Sequence, residues 1–299
     1  MLKEKILQSF DQKENFFDAV LIKKEAILNF QKKHSRKIKD LEKSIENDIK
    51  KHLLSDIKNT LNFLFLIRTL DFSLWKNENY SYEDLRKNLF LIYKKEKNPE
   101  KFLLNLSLKK FREIFNFKEA PYISRLRLKL LKEKIKWLFL KKKGNFLNFL
   151  KENQSPEKFC FSLFIFDDFK DYYVLKGKRI YILKPNQLLY FACQKALEHF
   201  GKKAKNLDDL TVFADNVLPA VLQREGILEY NDKLKYKIKN KKNIQRGSIE
   251  EISIRVKTIL ACEEIAKKLN LPSWKVDQLL WGKLGRGKIY PHRTFSFFY

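Results

Sequence analysis

Sulfur is almost missing from this chain of 299 residues, which has three cysteines and one methionine. Cys160, Cys193 and Cys262 lie far apart and form no pairs in sequence. That excludes a disulfide framework and a cysteine metal motif, and it suits a reducing compartment. Glycine (8) and proline (7) are also scarce. With few breakers and Lys-rich helical patterning nearly end to end, the chain reads as mainly α-helical. Walker loop, dinucleotide glycine fingerprint, nucleophile elbow and internal repeat are all missing. No long apolar run is present either. Phe63 to Ile67, the longest near the front, is too short to span a bilayer. The start, MLKEKILQSF, lacks the apolar core of a signal peptide. The expectation is a cytoplasmic protein with no membrane segment, no metal and no cofactor.

What the chain has in excess is positive charge. Its 63 Lys+Arg against 36 Asp+Glu give a formal net charge of +27. A polyanionic partner such as tRNA or DNA would explain that excess. Lys and Glu enrichment with few Cys and Met is also what high-temperature organisms show, although the many asparagines point the other way. The lysines are spread along the chain, so much of the charge reads as a solvated face. A basic helical tRNA- or DNA-binding protein without catalysis is therefore one function class to weigh.

Read in order, residues 1–50 are Lys-rich amphipathic helices, with Phe16, Phe17, Val20 and Leu21 on one apolar face and His34 exposed and passive. Leu53, Ile57, Leu61 and Leu64 mark a core helix. Phe72 and Trp75 follow in Asp71-Phe72-Ser73-Leu74-Trp75, where Asp71 or Ser73 can cap the next segment, or the rings can wall a pocket. A pair of helices is expected over 76–118. Pro121 opens a strong helix, with Ile123, Leu126, Leu130 and Leu131 inward, Arg125, Arg127, Lys129 and Lys132 outward, and Gly144 as its C-cap. The rhythm breaks near 160–184, where Arg179 to Leu183 predicts a small strand or hairpin. Asp167, Asp168 and Asp171 cluster there without the further ligands a metal would need. Lys233 to Arg246 reads as a loop. Ser248 to Glu251 is a capping box for a helix over about 249–269. Pro272 begins another helix, in which Asp277 and Trp281 are spaced i, i+4 on one face. The aromatic tail, ending in Tyr299, is expected to dock on the body.

The stretch from Leu210 to Leu222 carries the clearest chemistry. Asp215 is its one carboxylate, set before the apolar positions Val217, Leu218, Val221 and Leu222. This places Asp215 at a helix N-terminus, with Pro219 tolerated in the first turn. A half-buried anion held there could stabilise a developing cation. An ordinary capping Asp would look the same.

Several motifs together resemble the queuosine salvage proteins. Leu210-Thr211-Val212-Phe213-Ala214-Asp215-Asn216-Val217-Leu218-Pro219 is similar to that family's L-T-x-F-A-D-Y-R-V-P-Q, and Asp71 to Trp75 to its N-F-S-F-W. Gly247-Ser248 and Glu251 with Arg255 and Glu263 resemble its G-S-x-E-E-x-x-I-R helix. Val276-Asp277-x-x-Leu280-Trp281 and His292-Arg293-Thr294 with a final Tyr resemble its L-D-x-x-L-W and H-R-T ending. Phe169-x-Asp171 and Lys184-x-x-Gln187 are weaker echoes. Order and spacing agree from about residue 60 onward, leaving 1–60 as divergent helices of a single domain over 1–299. The chain departs from the pattern at Asn216-Val217 (for Tyr-Arg), Ala220 (for Gln), Pro185 (for Arg) and Asp71 (for Asn). The family's N-terminal V-x-I falls near Arg36-Lys37-Ile38, beside His34.

The resemblance implies a helical fold similar to DNA glycosylases. It also implies hydrolysis of the N-glycosidic bond of queuosine 5′-phosphate, releasing queuine for salvage into tRNA modification. Under that reading Asp215 is the catalytic carboxylate beneath C1′, as stabiliser or nucleophile. Phe213 stacks on the deazapurine, Asp277 accepts hydrogen bonds from its edge, and Trp281 walls the pocket with Phe72 and Trp75. Lys184, His292 and Arg293 complete the substrate-binding set, Lys184 and Arg293 toward the phosphate. The implied partners are the nucleotide and queuine alone, with no obligate nucleic acid, and the implied state is a monomer.

Overall fold

The computed structural model describes residues 1–10, 17–77, 79–285 and 287–299. Phe16 lies outside the described residues. The helices, in chain order, are α1 (Leu2–Gln8), α2 (Lys24–Lys39), α3 (Leu41–Lys50), α4 (Ile57–Leu70), α5 (Tyr82–Lys95), α6 (Pro99–Leu104), α7 (Leu108–Phe115) and α8 (Pro121–Lys142). They continue with α9 (Phe146–Glu152), α10 (Pro156–Ser162), α11 (Lys184–His199), α12 (Val217–Arg224), α13 (Asp232–Lys239), α14 (Ile249–Leu269) and α15 (Ser273–Gln278). Four short strands complete the set: β1 (Val20–Ile22), β2 (Tyr172–Leu175), β3 (Lys178–Tyr181) and β4 (Leu228–Tyr230). The protein is mainly α, as its composition implied. None of the described helices is long and apolar enough to cross a membrane.

The chain divides into two compact units, the first made of Met1–Asp48, Leu163–Leu188 and Asn206–Phe298. Its organising element is α14, which packs against α2, β1, α12, β4 and α15. Its buried residues, among them Ile252, Ile254, Val256, Ile259 and Ile265, surround most of the helix. A helix that is apolar on most sides belongs inside a core. The predicted start holds, since the Ser248 side chain accepts the Glu251 N–H. The antiparallel β2–β3 hairpin, pairing Tyr173 with Ile180, falls in the expected interval. A second antiparallel pair, β1 with β4, sets Leu21 opposite Glu229. Its strands are three residues each, too short for the alternation that would mark them in the sequence. Helix α1 is anchored by Asp209, whose carboxylate accepts the N–H groups of Leu2 and Lys3.

Two expectations in this unit are corrected. Lys233 to Arg246 is not all loop, because Asn231 caps α13 by accepting the Leu234 N–H and Leu234 and Ile238 are buried. The dense lysines had hidden that short apolar stripe. His34 is not exposed. Its ring is 5% accessible, and Nε2 lies 3.0 Å from Glu225 Oε2.

The second unit comprises Ile49–Ser162, Leu189–Lys205 and Tyr299. Helix α4 is its centre, buried at every position from Thr60 to Ile67. Asn62, fully buried, is fully used there: it donates to Glu100 and the Gly144 carbonyl and accepts the Phe146 N–H. The 76–118 interval holds three helices, not a pair, because Ser107 caps a separate α7. The end of α8 is as expected, with Lys143 and Gly144 at positive φ and the Gly144 N–H returning to Leu138 O.

Arg127 contradicts its expected outward position, being 0% exposed. Its Nε lies 2.9 Å from Glu119 Oε1, Nη1 donates to the Leu70 carbonyl, and its guanidinium stands 4.1 Å from the Phe72 ring centre. The helical spacing put Arg127 among the cations, but the buried carboxylate of Glu119 gives it an interior partner. All three cysteines are reduced and buried, in agreement with their isolation in sequence.

Candidate active site

Asp215 precedes α12, and the sequence dictates where the helix can begin. Pro219 has no N–H, so it suits the first turn, and α12 starts at Val217. The Asp215 carboxylate accepts the N–H groups of Val217 at 2.8 Å and Leu218 at 3.0 Å, both through Oδ1. Asn216 is the formal capping residue and makes no side-chain cap bond. Asp215 performs that task from one position earlier. It is 8% exposed, among the buried residues Phe213, Ala214, Leu218 and Ala220. Two amide donors and the positive end of a helix suit an anionic carboxylate in this otherwise apolar setting.

Three connections hold the segment leading to Asp215. At Thr211, the backbone N–H donates to Gln187 Oε1 at 2.8 Å, and Gln187 Nε2 donates to Thr211 Oγ1 at 3.0 Å and to Ile182 O. At Phe213, the N–H donates to Asp277 Oδ2 at 2.8 Å. At Ala214, the carbonyl accepts Arg255 Nε at 3.2 Å. Every turn of the Leu-Thr-x-Phe-Ala-Asp segment is therefore fastened to a residue of another motif.

Arg255 is fully buried, and Asp171 neutralises it. Nη1 and Nη2 reach Asp171 Oδ1 and Oδ2 at 2.6 and 2.8 Å in a two-pronged pair. Asp171 Oδ2 also accepts the Lys184 N–H at 2.8 Å, and its main-chain carbonyl accepts from Ile182 and Leu183. Leu183 adopts a left-handed φ of 58° at that corner. Tyr173 extends the network by accepting from Arg255 Nη1 at 2.8 Å and donating to Glu251, which in turn accepts the Gly247 N–H. The sequence offered Asp171 only as a weak motif echo and did not single out Tyr173. The spacing Asp171-x-Tyr173 at the start of a strand was the available signal.

Asp277 is 3% exposed. Its carboxyl is pushed up to about 8, first by burial and then by the charge of Asp215, against the Phe213 N–H, Gln278 and Lys184. Asp277 and Trp281, spaced i, i+4 in the sequence, differ in burial. Helix α15 ends at Gln278 and continues as a π-helical turn over Leu279–Leu284, and Trp281 stands 42% exposed.

The other expected site residues fall as follows. Phe213 and Lys184 are buried, at 3% and 6% exposure. His292 is buried too, and burial with the nearby Arg255 charge drives its ring down to about 3, so it is neutral near pH 7. Arg293 is half-buried, its carbonyl accepting the Ile244 N–H at 2.8 Å. Phe72 and Trp75 belong to the second unit. Phe72 lies under Arg127, and Trp75 has Lys76 Nζ 4.4 Å from its ring centre. Between them Ser73 adopts a left-handed φ of 45°, and its N–H donates to the Tyr299 carbonyl, so the aromatic tail is docked as expected. Among the described residues no cluster of three or more His, Cys, Asp or Glu could hold a metal ion.

Residues 51–299 fit the family described as queuosine salvage protein, and the chain belongs to it. A Dictyostelium discoideum relative is 28% identical over 258 residues, which cover 80% of this chain and 78% of the relative. A Sphaerobacter thermophilus relative is 34% identical over 143 residues, covering 45% of this chain and 44% of its own. One from Mus musculus is 29% identical over 173 residues, covering 56% and 51%. All three are named queuosine 5′-phosphate N-glycosylase/hydrolase.

Proposed function

We propose that this protein hydrolyses the N-glycosidic bond of queuosine 5′-phosphate and releases queuine, with Asp215 as the catalytic carboxylate. The observation that carries the proposal is the fixed, largely buried Asp215, held through Oδ1 by two α12 amides. Breaking the bond leaves positive charge on the ribosyl ring at C1′. A carboxylate already oriented and desolvated lowers the barrier to that charge, as stabiliser or nucleophile. Water supplies the hydroxyl that ends on C1′, and its remaining proton leaves with the base. Relatives bearing the N-glycosylase/hydrolase name support the same reading.

In this reading Phe213 stacks on the deazapurine, Asp277 accepts hydrogen bonds from its edge, and Trp281 walls the pocket. Lys184 and Arg293 serve the phosphate side, and His292 completes the substrate-binding set. The protein works as a cytoplasmic monomer, as one domain over 1–299 with a fold like that of helical DNA glycosylases. Incubating the purified protein with queuosine 5′-phosphate should yield free queuine by mass spectrometry, and Asp215→Ala should not. An Asp215→Ala protein that releases the base at the parent rate would end the proposal.

A further inference from the structure

The solvent face of α8 carries a feature that the candidate site does not use. The helix commits one side to its core, burying Ile123, Leu131, Ile135 and Leu138 against α4, α6, α7 and α9. On the other side Arg125, Lys129, Lys132 and Lys136 recur at steps of three and four, and the C-cap Lys143 continues the row. Residues so spaced share one helical stripe. None of these five cations has an ion-pair, hydrogen-bond or ring partner among the described residues. The carboxylate in the row, Glu133, is engaged by Lys134 at 3.6 Å. On α13, by contrast, Lys233 and Lys237 pair with Glu250, and Lys235 with Glu229 and Asp232.

Exposed apolar groups flank the cations at both ends of the same stripe. Tyr122 is 61% exposed, Phe139 45% and Leu140 79%. Eighteen residues separate Arg125 from Lys143, so the row runs about 27 Å at the helical rise, one charge every several ångströms. A line of unpaired cations with ring faces at its ends matches an extended strand of nucleic acid, whose phosphates follow the charges and whose unpaired bases stack on the rings. The Tyr122 hydroxyl adds a group that a ribose 2′-hydroxyl can answer and deoxyribose cannot. A lipid surface fits less well, because the apolar stripe that would enter the bilayer boundary is already spent on the core. We infer that the outer face of α8 is a docking surface for single-stranded RNA.

The test is fluorescence anisotropy of the full-length protein with a labelled RNA of roughly 15 nucleotides and mixed sequence, titrated across salt. Binding should weaken with salt. Arg125→Gln/Lys129→Gln/Lys136→Gln should flatten the slope of log K against log salt by about 2, from about 0.7 per phosphate contact on a single strand. Tyr122→Ser/Phe139→Ser should weaken binding roughly tenfold or more with the slope unchanged. Lys233→Gln/Lys235→Gln/Lys237→Gln on α13 should leave the titration as it was. All substitutions lie on the surface, and circular dichroism melts confirm that each variant folds. The inference is overturned by no RNA binding at about 50 mM salt, by equal losses in the α13 and α8 variants, or by equal affinity for DNA of the same length. Preference for phosphatidylserine vesicles over RNA would overturn it as well.

Discussion

Each unit of this protein contains an arginine that water does not reach, and the two are used alike up to a point. Arg255 in the first unit is neutralised by Asp171 and donates to the Ala214 carbonyl, one residue before Asp215. Arg127 in the second is neutralised by Glu119 and donates to the Leu70 carbonyl, one residue before Asp71-Phe72. In both cases an interior cation holds a main-chain carbonyl, that of Ala214 ahead of α12 and that of Leu70 at the end of α4. They differ in what else depends on the pair. Asp171 also holds the Lys184 amide, and Arg255 passes through Tyr173 to Glu251 and Gly247. Glu119 receives side chains, those of Arg127 and Ser124, while Arg127 spends its remaining face on the Phe72 and Phe117 rings. One pair ties backbone to backbone around a carboxylate, and the other seats an aromatic.

That contrast orders the expected effects. Arg255→Met should be the most damaging. It strands Asp171 in the interior at a cost of about 3–5 kcal/mol, and it frees Ala214, so the folded fraction should lose kcat in base release. Arg127→Met should cost a similar amount by denaturant unfolding, but with the kcat of the folded fraction kept. Equal loss of kcat in both would erase the distinction. Removing both partners sharpens it further. Arg127→Met/Glu119→Leu should regain most of the lost stability, since the Leu70 carbonyl keeps the Phe72 N–H and replacing a buried pair with apolar groups is often neutral. Arg255→Met/Asp171→Leu should not, because the Lys184 N–H and Ala214 carbonyl stay buried and unsatisfied.

Smaller effects follow from pH. The Asp277 carboxyl sits near 8 in the fold and at its ordinary 3.8 when unfolded. The folded state therefore binds the extra proton, and stability falls as pH rises through that window. Asp277→Asn, which keeps an acceptor for Phe213, should flatten the fall in melting temperature between about pH 5 and 8. His292 acts oppositely at lower pH. Its ring is held near 3 against an ordinary 6.5, so stability rises with pH across that interval, and His292→Gln should flatten the rise. A pH–melting curve unchanged by either substitution would contradict the burial argument.

Much of this architecture was legible in the residues. Pro219 and Asp215 located the start of α12, Ser248 that of α14, and the β-branched run after Gly177 marked the hairpin. These are local rules, in which one side chain decides its own backbone. The failures were long-range. Arg127 sits at a spacing indistinguishable from that of its exposed neighbours, and what buries it is Glu119, in the loop before the helix. His34 looked solvated among lysines because Glu225 is 191 positions away. Trp281 stands exposed although Asp277, four residues earlier, is buried, and the π turn that follows Gln278 is not signalled by the apolar pattern. At the candidate site, the motifs identified Asp215 and Asp277. What they could not tell was that each motif residue is tied to the backbone of another.

The central claim is that Asp215 acts through its charge and not through its cap. Asp215→Asn keeps an oxygen that can accept the Val217 and Leu218 amides, so the melting temperature should hold while single-turnover release of queuine from queuosine 5′-phosphate falls by roughly 10²–10³ or more. A folded Asp215→Asn protein that releases the base at the parent rate would contradict the account.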